Sequence, residues 1–178
     1  MKRSDFLKNI AATVAAGTML PLMALASIKS ISPENSVKIV RKAQGQKLNV
    51  IGDQMSVKLT GKDTGGQYAL VEQYNDPGVG IPPHVHEKED EVFKLIEGEV
   101  EFSLEGKTHL LKAGDMIYCP RGVPHTWKVV GTRKAKVDLG FFPSGMEVMF
   151  EELAQLPQGP PDLEVVAKIC GRYGISFI

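Results

Sequence analysis

The chain has 178 residues, 43% of them apolar and 24% charged, with 21 basic residues against 21 acidic ones. That profile fits one ordinary globular domain and is too rich in Leu, Ile, Val and Phe for a disordered chain. A nucleic-acid binder needs a cationic face to neutralise phosphates, and a formally neutral chain with no basic block does not supply one. Two cysteines are too few for a disulfide-stapled miniprotein or a four-thiolate zinc site, so any metal must be held by His and carboxylates.

In chain order, the first segment reads as an export signal. Lys2, Arg3 and Lys8 precede an apolar, small-residue run from Ile10 to Ala26, which ends Ala24-Leu25-Ala26 before Ser27, an A-x-A cleavage pattern. Lys2 to Lys8 resembles a twin-arginine signal in which Ser4 replaces the second Arg, so the general secretory route is the expected one. The run is short of the roughly 20 apolar residues that a membrane span prefers, which favours cleavage over an uncleaved anchor. Residues 1–26 are therefore expected to be a signal peptide and 27–36 a linker, and the mature protein is expected to be periplasmic or extracellular. Removing 1–26 leaves 18 basic and 20 acidic residues, still close to neutral. An oxidising compartment would permit a Cys119–Cys170 disulfide, with two separately buried thiols as the alternative.

From Val37 the pattern becomes short alternating segments punctuated by Gly, Pro and Asp: 37–41, 47–51, 55–60, 67–75, 91–96, 99–105, 107–111, 116–119, 125–130 and 134–142. In Glu99-Val100-Glu101-Phe102-Ser103-Leu104-Glu105 apolar and polar residues alternate without error, as a strand with one wet face requires. Glycine-centred turns at Gly98 and Gly106 make 91–111 a meander of three antiparallel strands. About ten short strands call for a barrel or sandwich, which removes exposed edges. Gly65-Gly66 reads as a turn or bulge and not a phosphate cradle, since no helical pattern follows it. After Pro143 the period changes. Met146, Met149, Phe150 and Leu153 sit at helical spacing, and a second helix runs from an Asp162 N-cap to about Arg172, with Gly171 or Gly174 near its end. Both helices are expected to cover a barrel face or mouth, with a substrate lid as the alternative. The division is then a barrel over 37–143 and a helical extension with a short final strand over 144–178.

The chemistry concentrates between residues 78 and 129. His84 and His86 are two apart, so on an extended segment both imidazoles project to one face and can share an ion. Pro82 and Pro83 stiffen the approach. Glu91 is five residues past His86 and would face away on a continuous strand, but the charged turn 87–90 lets it come back beside the histidines. His125 opens a strand after the turn at Pro120 to Pro124. Three imidazoles and one carboxylate suit a divalent transition metal with open coordination positions.

These segments resemble the cupin superfamily. Gly78-x5-His84-x-His86-x4-Glu91-x6-Gly98 matches the first cupin motif at every fixed position, and Gly114-x5-Pro120-x-Gly122-x2-His125 matches the second as far as its histidine. Val129 departs from the pattern where the family has Asn. The resemblance implies an all-β, double-stranded β-helix barrel of six to eight strands with the two short C-terminal helices outside it. It also implies one divalent transition metal, with Fe, Mn, Ni, Cu, Co and Zn not distinguished, inside the barrel on His84, His86, Glu91 and His125. The quercetinase-like cupins give the leading activity, a mononuclear metal-dependent dioxygenase in which Glu91 is both ligand and proton acceptor. A metal-dependent isomerase or lyase and a non-enzymatic ligand-binding module are the alternatives. Phe93 and Trp127 are candidates for pocket lining or core, His109 is read as a structural or surface histidine, and Arg121 is the one basic candidate near the site. The expected partner is a small-molecule substrate or ligand, with no nucleic acid, no stable membrane anchor after cleavage, and homodimerisation left open.

Overall fold

The computed structural model describes residues 36–157 and 159–178. The expected signal peptide and nearly all of the linker lie outside these residues. Eleven strands and three helices follow one another in the described part: β1 Gln46–Val50, β2 Asp53–Leu59, α1 Gly61–Thr64, β3 Ala69–Asn75, β4 Gly80–His86, β5 Asp90–Glu97, β6 Glu99–Leu104, β7 Lys107–Lys112, β8 Met116–Cys119, β9 His125–Val130, β10 Ala135–Phe142, α2 Met146–Leu153, α3 Leu163–Arg172 and β11 Ile175–Phe177. One sheet has the order β1-β2-β3-β10-β5-β8 and the other β11-β4-β9-β6-β7, with the paired strands antiparallel.

Alternation places the core between the two sheets. In β10, Ala135, Val137, Leu139 and Phe141 are buried in phase, and in β9 His125, Trp127 and Val129 are. Phe102 and Phe141 are fully buried, and truncating either to Ala should cost about 3–5 kcal/mol. The β6–β7 hairpin turns through Glu105 and Gly106, both at positive φ, which is the tight-turn geometry that matches strand twist.

Two expectations are corrected. Residues 37–41 form no strand: Val37 and Ile39 are exposed, and no strand among the described residues pairs with the segment. Residues 91–111 are not a meander: β6 pairs with β7, but β5 lies in the other sheet between β10 and β8. The chain crosses between sheets at Gly98, where φ is +82° and a Cβ would come within 2.5 Å of the Lys134 carbonyl oxygen. Only glycine fits that corner without displacing β10.

Both C-terminal helices have the expected limits. Asp162 caps α3 by accepting the Glu164 and Val165 N–H groups, and Gly174 turns the chain at φ +85° into β11. Glu147 is buried in α2 and accepts from the Gly61 and Gly145 N–H groups, fixing that helix to α1. β11 pairs with β4, with Phe177 opposite His84 and Ile175 opposite His86. Cys119 and Cys170 are both free and buried. No helix among the described residues is long and apolar enough to cross a membrane.

Candidate metal centre

His84 and His86 share one face of β4, as their spacing requires, and His125 lies directly opposite His84 across the β4–β9 pair. Glu91 comes from β5 in the other sheet, brought back by the turn after β4. The four side chains are 3–4% exposed, and one donor atom from each lies within 4.8 Å of every other. Two contacts hold the supporting loops in place. Gly122 N–H donates to the His86 carbonyl at 2.7 Å, and Arg121 pairs with Asp90 at 2.9 and 3.0 Å, joining the turn before β9 to the residue before Glu91. That guanidinium holds the Asp90 carboxyl down at about 2. Arg121 is thus a brace on the outside of the site.

Backbone carbonyls set two of the imidazoles. His84 Nδ1–H donates to Pro82 O and His125 Nδ1–H to Val123 O, each at 3.0 Å, which leaves both Nε2 lone pairs facing inward. His84 Nε2 is 3.1 Å from His86 Nε2, and His125 Nε2 is 2.7 Å from Glu91 Oε2. Lone pairs this close to one another and to a carboxylate need a proton or a cation between them. Burial holds the His84 imidazole down at about 4, with the neighbouring His125 charge adding to the effect. Burial also lowers His86 against the attraction of Glu91. For His125 burial opposes the charged form, but the Glu91 hydrogen bond and charge outweigh it and raise the group. For Glu91 burial favours the neutral acid, and the His125 hydrogen bond with the adjacent imidazoles brings it below the usual range instead. Two readily neutral imidazoles, a third imidazole and an ionised carboxylate are the donor chemistry of a divalent transition-metal site.

The site opens on a cavity of about 460 Å³. His84, His86 and Glu91 line it together with Trp127, Phe150, Phe177 and other apolar side chains from α2, α3 and the sheets. Its size suits a small organic ligand.

A cupin-domain family model matches residues 72–142, a segment that holds all four donors. Residues 72–142 of this chain are a cupin domain. Among its relatives, quercetin 2,3-dioxygenase of Bacillus subtilis is 29% identical over 105 residues, which is 58% of this cupin and 31% of that enzyme's length. This chain therefore matches less than a third of that relative. The solved structure of KdgF from a Halomonas species superposes with a TM-score of 0.56 at 22% identity, covering 64% of this chain and 99% of that one. The polyketide cyclase RemF from Streptomyces resistomycificus gives 0.51 at 25% identity, covering 61% and 80%.

Of the two aromatic candidates, Trp127 lines the cavity of this cupin. Phe93 does not: it is buried behind the wall, with its ring centroid 5.1 Å from that of Phe102 and 6.1 Å from that of Trp127. His109 is exposed on β7 and is not one of the clustered donors. Val129, where the family pattern has Asn, is buried in the core. The helices cover the cavity, since Met146, Met149, Leu153 and Val166 all face it.

Asp53, Gln73 and Glu89 belong to no motif. Glu89 is buried three residues past His86, and burial pushes its carboxyl up to about 7. Gln73 and Asn75 carried a readable signal: they are polar residues at inward positions of a strand whose other inward residues, Ala69 and Val71, are apolar.

Proposed function

We propose that this cupin is a mononuclear metal-dependent dioxygenase acting on a small, mainly apolar phenolic or enolisable substrate. The observation that carries the reading is an apolar cavity whose wall holds His84, His86 and Glu91 of the three-imidazole, one-carboxylate cluster. The similarity to a quercetin 2,3-dioxygenase supports it. His84, His86, His125 and Glu91 would hold one divalent transition metal. When bound, the metal supplies charge stabilisation to a substrate oxygen and a means of bringing dioxygen to it.

The protein's own groups do the rest. Trp127, Phe150 and Phe177 exclude water and orient a flat ring system by contact. Glu91 Oε2, now paired with His125 Nε2, is the carboxylate oxygen placed to take a hydroxyl proton from a substrate seated against the imidazoles. Burial keeps that proton from exchanging freely with solvent. Export to the periplasm or the extracellular space belongs to the same proposal and rests on the Lys2 to Ala26 pattern.

A second reading is a metal-dependent isomerase, cyclase or lyase, favoured by the likeness to the polyketide cyclase, with a non-catalytic binding module beyond it. Oxygen uptake by the metal-loaded protein on a panel of phenolic compounds separates them. The dioxygenase reading requires substrate loss to stop without oxygen and with redox-inert zinc. Turnover that continues under both conditions assigns the lyase or isomerase class, and no turnover with any metal assigns the binding module.

A further inference from the structure

The cavity wall is apolar except at the imidazole cluster and at one other place. There, Asp53 of β2 accepts from Gln73 Nε2 and from Asn75 Nδ2, each at 2.6 Å, and Asn75 Oδ1 accepts the Gln54 N–H at 2.8 Å. The backbone N–H fixes the Asn75 amide, and the carboxylate fixes that of Gln73. Gln73 Oε1 is buried with no hydrogen-bond partner. Asp53 and Gln73 both line the cavity.

Their place in the sheet sets the distance from the metal centre. Across β5, β10 and β3 the inward rungs run Glu91–Phe141–Ala69, then Phe93–Leu139–Val71, then Leu95–Val137–Gln73. Gln73 is two inward rungs and two strands from Glu91. That is about 13 Å along the strands and about 10 Å across them, or about 16 Å between backbones. A ligand reaching both ends spans two or more rings.

We propose that Asp53 and Gln73 form a far anchor of this cavity, accepting a hydrogen bond from a hydroxyl at the end of an elongated aromatic ligand remote from the imidazoles. This rests on the reading of the site as one for a phenolic substrate, and narrows it to a polyphenol with a hydroxyl on the remote ring. A buried carbonyl without a donor is costly in a folded protein, and a ligand hydroxyl removes the deficit. The walls around the pair are apolar, which suits the ring that carries the hydroxyl.

The test uses 2-naphthol and naphthalene, which differ by one hydroxyl, and measures the binding of each to the purified full chain by calorimetry or ligand-observed NMR. Gln73→Met keeps the side-chain volume and removes the acceptor. It is expected to cut the preference for naphthol over naphthalene by about 5- to 100-fold while naphthalene binding changes by less than about twofold. Asp53→Ala, at a partly exposed position, releases the Gln73 amide and should also lower the preference; it decides the matter if Gln73→Met does not fold. An unchanged preference in both variants overturns the anchor. So does an equal loss for both compounds, or an absence of saturable binding to the wild type. Oxygen uptake on the phenolic panel is scored separately. Discrimination by Gln73 without uptake keeps the anchor and removes the dioxygenase reading, and uptake without discrimination does the reverse.

Discussion

His86 Nδ1 and Glu89 Oε2 lie 4.0 Å apart, both buried, and neither has a hydrogen-bond partner. The other two imidazoles differ in this respect, since Pro82 and Val123 carbonyls hold their Nδ1–H groups. For His86 Nε2 to offer a lone pair to a metal, the ring proton must sit on Nδ1, and Glu89 is the acceptor beside it. Closing the gap by about 1 Å gives a carboxylate–histidine pair, which fixes the ring and strengthens it as a ligand.

Glu89→Ala should therefore weaken metal affinity by about 10- to 100-fold, in line with the loss of such outer partners elsewhere. Competition titration with a chromophoric chelator measures it. An affinity equal to that of the wild type would show that His86 is held adequately by packing.

Replacing His84, His86 or His125 with Ala should each remove most of the bound metal, whereas His109→Ala, on the exposed face of β7, should not. Metal content per chain after gel filtration is the readout. Equal content in all four variants would dismiss the cluster as the metal site.

The cluster was legible before the fold because ligand spacing is local. His84-x-His86 fixes one face of a strand, and the Pro and Gly residues around His125 mark where the next strand begins. β6 and β10 were legible because their alternation is uninterrupted. What alternation does not encode is pairing: β5, β6 and β7 read as neighbours, yet Gly98 sends β5 to the opposite sheet. Strand 37–41 failed for a related reason, since a pattern without a partner buries nothing. Glu89 was hidden in a charged turn, 87–90, where composition predicts exposure and only the fold of β4 onto β5 buries one of the four. A short final strand was expected, but the pairing of β11 with β4, which spans about ninety residues of sequence and sets Phe177 opposite His84, was not legible.

Exported material should begin at Ser27. The expectation rests on the basic start, the apolar run and Ala24-x-Ala26, all outside the described residues. N-terminal sequencing of secreted or periplasmic protein checks it, and a chain that still starts at Met1 would replace cleavage with an uncleaved anchor.

Asp53 gives a pH dependence of stability. Burial raises its carboxyl from 3.8 to about 6, against the opposing hydrogen bonds from Asn75 and Gln73. A carboxyl whose folded value exceeds its unfolded one stabilises the fold while protonated. That contribution is fully present below about pH 3.8 and is lost as pH rises through about 6. The full rise corresponds to about 3 kcal/mol, and the solvent contact that Asp53 keeps reduces this to about 1–2 kcal/mol. Asp53→Asn has no such ionisation, so the difference in unfolding free energy between wild type and variant should shift by that amount from pH 4 to pH 7. Urea unfolding at four pH values measures it, and a flat difference would mean that the carboxylate is better solvated than its burial implies.

Glu91→Gln separates holding a metal from moving a proton. The amide keeps the shape and one oxygen donor, so metal content should fall only modestly, with the three imidazoles still in place. It cannot accept a proton, and the loss of a general base lowers turnover by about 100- to 10,000-fold. The two effects are read on one preparation, metal by elemental analysis and turnover by oxygen uptake on a responsive phenol. If turnover falls only in proportion to metal, Glu91 is a ligand and no more, and the substrate proton leaves by another route. If the metal is lost outright, the carboxylate charge is what holds the cation among the imidazoles. Glu91→Asp, which keeps the charge and shortens the reach, should then recover metal before it recovers turnover.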